Sequence, residues 1–96
     1  MEETAESIFT WHKATFPGTT PLKMMKKLSE EVTELTFAVA ENATIPYGTE
    51  RKHDIPGEIA NCMIVLISLA CRYGIAPLQA IQEKMEINRK RDRKKR

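Results

Sequence analysis

The apolar residues of this chain recur at three- and four-residue steps. Between positions 20 and 42, Leu22, Met25, Leu28, Val32, Leu35 and Val39 fall on one stripe, the mark of a helix with one face against a core. Thr20 precedes it as an N-cap with Pro21 at the first helical position, and the pattern ends near Asn42. A first helix is predicted over Glu3–Ala14, closed by the breaker FPGTTP. A third starts at Asp54 or Ile55, is apolar almost all round, and stops at Gly74, which predicts a central buried helix. The last opens with Pro77 near its start and runs to about Arg91, with Leu78, Ile81 and Met85 as its seam. No segment alternates as a strand would. The expected class is all-α, and the short turns at 15–20 and 74–76 favour a four-helix bundle with antiparallel neighbours.

Size and charge refine this picture. A chain of 96 residues makes one small domain with a limited core, so completion by oligomerisation is expected. The net charge of +2 conceals an asymmetry, because the last eight residues carry seven bases and one acid. The body is therefore acidic, and nucleic acid is not an expected partner. Residues 1–91 read as a single domain and 92–96 as a basic, disordered tail. No leader pattern is visible in MEETAESIF, and the apolar run from Cys62 to Leu69 is too short to span a bilayer, so no membrane association is expected. Cys62 and Cys71 fall on opposite sides of one helix and cannot bridge each other within it; a reduced, cytoplasmic setting is expected.

Candidate chemistry lies beside the seams. Glu31 borders the apolar stripe of the second helix, Glu34 stands next to it, and Glu30 is furthest out. Folding does not require three carboxylates on one arc, although a solvated acidic face would look the same. On the third helix Glu58, Asn61, Val65, Ser68 and Arg72 form a stripe more polar than the rest. Glu58 also suits a helix start, where the dipole favours an acid. If the two helices pack by their seams, Glu31 and Glu34 face Glu58 and Asn61, and such a cluster repels unless a cation sits within it. An all-oxygen set suits Mg²⁺ or Mn²⁺ and leaves room for substrate phosphates. On the last helix Lys84, Asn88 and Arg91 line one edge, able to donate to an anion, and Asn88 interrupts the seam where an apolar residue is expected.

These segments, SEEVTEL, then GEIANCMIVLISLACRYGI, then EKMEINRKR, resemble the all-α nucleoside triphosphate pyrophosphohydrolases of the MazG type. That family's pattern is EExxE, a spacer, ExxD, and later a Lys and Asn on a final helix. The opening WHKATFPGTTP looks like the branch described as dATP/dGTP pyrophosphohydrolases of phages and bacteria, and the resemblance runs from about Trp11 to Arg91. It implies a four-helix core in a dimer or tetramer that cleaves a nucleoside triphosphate, with a purine deoxynucleotide such as dGTP or dATP favoured, to monophosphate and pyrophosphate. A phage-encoded member would act in the host cytoplasm. By position Glu31, Glu34 and Glu58 would hold Mg²⁺ or Mn²⁺, with Asn61 as the fourth ligand position. Glu30 or Glu34 would serve as base. Lys84, Asn88 and Arg91 would hold phosphates, and Trp11, His12, Phe16 and Thr19 would lie near base and sugar.

One position departs from the pattern. Asn61 stands where the family has an aspartate, which keeps an oxygen but removes a charge. Fewer ligand charges weaken a divalent site. The sequence leaves open an inactivating substitution that traps substrate, a natural variant with weaker metal demand, and a protein that binds nucleotides without cleaving them. A non-enzymatic helical interaction module is the alternative from another class.

Overall fold

The computed structural model describes residues 2–44 and 54–95. Four α-helices follow in order, α1 (Ala5–Thr15), α2 (Pro21–Thr44), α3 (Ile55–Arg72) and α4 (Pro77–Lys95), and no strand occurs among the described residues. The loop expected over Ala43–Pro56 lies mostly outside them. The backbone of α4 stays helical to Lys95, past the expected end at Arg91.

Local chemistry accounts for the helix ends. Thr4 caps α1, its Oγ1 accepting from Ser7 N–H at 3.0 Å, while Ser7 Oγ accepts from Thr4 N–H at 2.8 Å. Thr20 caps α2 as expected, its Oγ1 accepting from Lys23 N–H at 3.2 Å. At the end of α3, Gly74 takes a φ of +69°. That conformation lets Ile75 N–H reach Ala70 O at 2.9 Å and Gly74 N–H reach Cys71 O at 3.0 Å. This pair of bonds satisfies the last carbonyls and turns the chain into α4.

Packing centres on α3. It lies along α2 on one side and against α1 on the other, whereas α4 meets α3 only sparsely. The buried side chains are Met24 and Ala38 of α2, Cys62, Val65 and Ser68 of α3, and His12 of α1. Half-buried Leu28 and Leu35 continue the α2 contact, as the periodicity predicts. The rest of the predicted α2 seam is corrected, because Leu22, Met25, Val32 and Val39 are exposed. The buried line runs instead through Met24, Leu28, Glu31, Leu35 and Ala38, one residue around the helix. Spacing marks an apolar arc but not its centre, and the arc on α2 is wide enough to have two usable sides.

The same correction applies to α3 and α4. By length and composition alone α3 would suit a membrane span, and it is the helix on which α1 and α2 pack. It is not covered all round, since Ile59, Met63 and Leu66 form an exposed second stripe. The seam of α4, Leu78, Ile81 and Met85, is exposed as well. A radius of gyration of 16.7 Å exceeds the ~12–13 Å of a compact chain this long. The fourth helix does not close a bundle within one protomer.

The buried line makes a discriminating expectation. Met24→Ala should cost about 2–4 kcal/mol in urea unfolding, because its side chain is 1% exposed. Leu22→Ala, at 83% exposed, should stay within ~0.5 kcal/mol. Ser68→Ala should stabilise by about 1 kcal/mol, because the fully buried Oγ has no hydrogen-bond partner among the described residues.

Candidate functional site

Two carboxylates enter the contact between α2 and α3. Glu31 occupies the buried line of α2, with its side chain only 13% exposed. Lys27, one turn earlier, places its Nζ 3.0 Å from Glu31 Oε1. That hydrogen bond holds the Lys27 ammonium above its ordinary pKa. Glu58 lies in the first turn of α3, where the helix dipole favours an acid. It is half-buried, and its Oε2 is fully enclosed without a hydrogen-bond partner.

Cys62 links the two. It lies one turn beyond Glu58 on the buried side of α3, and burial pushes its thiol pKa up, with the Glu31 and then the Glu58 carboxylate pushing the same way. Both acids therefore act on one buried thiol, from α2 and from α3. The sequence offers no reason to single out Cys62. The other cysteine faces α1, its Sγ 3.7 Å from Ala5 O, and both thiols are free.

The remaining candidates stand further out. Glu30, Glu34 and Asn61 are exposed, so the Glu58–Asn61 pair splits into an inward acid and an outward amide. Among the described residues no three His, Cys, Asp or Glu side chains gather closely enough to hold a metal ion. Glu31 and Glu58 thus place two carboxylates on facing helices, one with an unpartnered buried oxygen, while Glu34 and Asn61 lie one turn along each helix and are exposed.

A cleft of about 270 Å³ opens beside this pair, between α1 with its following turn and the start of α2. His12, Phe16 and Thr19 form one wall, as three of the four residues expected near a base and sugar. The turn brings the Phe16 ring to 4.9 Å from the His12 ring, tilted by 46°. The Trp11 ring stands edge-on to both, its centroid 6.3 Å from that of His12 and 6.2 Å from that of Phe16, and lines a neighbouring hollow with Glu3, Ile8 and Ile64. The opposite wall is cationic, with Lys23, Lys26 and Lys27 above Met24, and ends at Glu30. Sequence reasoning missed these lysines, although Lys26 and Lys27, one turn before Glu30 and Glu31, are a readable i,i+4 signal. Burial, and then the charge of Arg72, hold the His12 pKa below 6.5.

The expected phosphate-binding edge of α4 lies elsewhere. Lys84 and Arg91 are exposed and Asn88 is half-buried. The interruption of the α4 seam is answered within the helix, where Arg91 Nη2 donates to Asn88 Oδ1 at 2.9 Å.

The depressed His12 pKa carries a sign. The unfolded chain takes up this proton before the native one, so the His12 contribution to stability is complete above pH 6.5 and is lost as pH falls from 6.5 through the native value. A ¹H–¹⁵N titration should place the His12 midpoint below 6.5, and His12→Gln should flatten the stability–pH curve in that window. An unshifted midpoint would refute the assignment.

The chain matches no protein-family model and no curated protein, so a functional reading rests on the carboxylate pair and the cleft beside it.

Proposed function

We propose that the protein is a Mg²⁺-dependent nucleoside triphosphate pyrophosphohydrolase, with Mn²⁺ as a competent substitute. The observation that carries the reading is Glu58 Oε2, a buried oxygen without a partner that shares the Cys62 neighbourhood with Glu31. An enclosed carboxylate oxygen is costly unless a proton donor or a cation meets it. The resemblance of SEEVTEL and GEIANC to the MazG-type motifs supplies the reaction class.

Each residue then has a defined task. Glu31 and Glu58 would hold the metal from α2 and α3, with Glu34 and Asn61 as the further oxygen donors. A bound Mg²⁺ would neutralise the triphosphate and lower the pKa of the water that attacks the α-phosphorus. Glu30, exposed at the end of the cleft, accepts that water's proton. His12 and Phe16 flank a purine base, and His12, neutral at pH 7, offers one ring nitrogen as donor and one as acceptor. Pyrophosphate leaves, and the monophosphate remains.

A second reading is nucleotide binding without turnover, or a helical interaction module. The observation that favours it is the absence of a gathered three-ligand group among the described residues, together with Asn61 in place of an acid. Pyrophosphate release across the eight common nucleoside triphosphates, with Mg²⁺ and with Mn²⁺, separates the two. The enzyme should prefer a purine deoxynucleotide. Glu31→Gln and Glu58→Gln should each lower kcat about 100-fold or more, the scale for loss of a group that stabilises transition-state charge. Asn61→Asp should raise it. No release from any nucleotide would reject the enzyme.

Assembly is part of the reading. The exposed stripes Val32–Val39 of α2, Ile59–Met63–Leu66 of α3 and Leu78–Ile81–Met85 of α4 leave the protomer with more open apolar surface than a monomer covers. Val32, Leu35, Val39 and Ala43 line an open apolar groove on α2. The α4 seam of a second copy fits such a groove, giving a dimer or tetramer. Sedimentation should show an oligomer, and Ile81→Glu should shift it toward a monomer; a wild-type monomer at micromolar concentration would overturn this.

A further inference from the structure

The cationic wall of the cleft has no role in the reading above. Lys23, Lys26, Lys27 and Glu30 follow steps of three, one and three residues on α2, which keeps them on one side of the helix over about 10 Å of its axis. Lys23 and Lys26 have no carboxylate partner among the described residues, since the ion pair present is Lys27–Glu31. Facing them is His12, only 5% exposed and lining the same cleft, with no hydrogen bond to its ring among the described residues. Arg72 acts on His12 from the end of α3, which adds a fourth cation near a cleft already lined by three lysines. Like charges gathered around one cleft repel unless an anion sits among them.

We propose that the lysine side of this cleft seats the phosphate chain of the nucleotide, with Lys23 and Lys26 donating to its oxygens and His12 between the phosphates and the base. The assignment rests on the hydrolase reading for its ligand but differs from it in residues, because it moves the phosphate contacts from Lys84, Asn88 and Arg91 to α2. The geometry is economical. Phe16 and Thr19 bound the cleft at one end and Glu30 at the other, and Lys27 joins it to Glu31. A triphosphate lying along α2 would run from the aromatic wall toward the carboxylate pair, bringing its charged chain to the cation site. Lysine suits the task, because three rotatable donors follow a flexible chain of tetrahedral phosphates. Burial and then Arg72 lower the His12 pKa, and a polyanion bound against the ring would push it the other way.

The test measures binding alone. In EDTA, where divalent-dependent hydrolysis is off, dATP and inorganic tripolyphosphate are titrated into the full chain by calorimetry, and the His12 resonances are followed. Both ligands should bind, and both should raise the His12 midpoint. Lys23→Ala/Lys26→Ala should weaken both by about tenfold or more, the scale for loss of charged hydrogen bonds. Lys13→Ala should leave binding unchanged, because Lys13 lies over the Phe9 ring on another side of α1. Binding of dATP without tripolyphosphate would assign the cleft to the nucleoside and overturn the proposal. So would an unmoved His12, wild-type affinity in the double variant, or a loss that follows Lys84→Ala instead. The two readings fail separately. Lysine-dependent binding without pyrophosphate release in Mg²⁺ keeps the anion seat and removes the enzyme; normal release with lysine-independent binding does the reverse.

Discussion

The helix contact that organises this protein carries acids inside it. Glu31 takes a position in the buried line of α2 that Leu28 and Leu35 flank one turn away on either side, and Glu58 enters from α3 toward the same thiol. Withdrawing two carboxylates from water costs several kcal/mol each unless charge or hydrogen bonds meet them. Lys27 answers Glu31 within its own helix, and nothing among the described residues answers Glu58 Oε2. An apolar pair of the same size would hold α2 and α3 together more cheaply.

The same contact determines what stays open. Once α2 turns Met24, Glu31 and Ala38 toward α3, Val32 and Val39 necessarily face outward. Once α3 commits Cys62, Val65 and Ser68, the stripe Ile59–Met63–Leu66 remains uncovered. These helices therefore have two apolar sides each, of which one protomer uses one. A 96-residue chain with four helices has little interior to give, and its α4 finds little to pack on. The open groove on α2 and the bare seam of α4 are both apolar in character.

Charge is distributed along α2 with a direction. Lysines dominate its first two turns, acids follow from Glu30 to Glu34, and the junction is the Lys27–Glu31 pair. Lysine in the first turn opposes the helix dipole, which favours acids there. The cationic wall of the cleft therefore adjoins the buried carboxylate through the Lys27–Glu31 pair.

The local features of the fold were legible because they depend on neighbours in sequence. Thr20 and Pro21 predict the start of α2, Gly74 the stop of α3, and three-to-four spacing predicts helices without strands. Each is a matter of backbone geometry within one turn. Glu31 at the edge of an apolar stripe was legible too, and its neighbour Lys27 could have been read from i,i+4 spacing. What the spacing leaves undecided is the rotation of each helix about its axis. An apolar arc spanning Met24 to Met25 and Ala38 to Val39 permits two orientations that differ by about 100°. Only docking against α3 chooses one, through the close approach that the small Ala38 allows. That rotation is what drew Glu31 into the contact and set three lysines along the cleft. The rotation of α3 likewise buried Cys62 and left Asn61 exposed. Sequence determined which segments are helices and where they begin and end; tertiary packing decided which side chains meet, because burial is a property of pairs of faces and no single helix contains both.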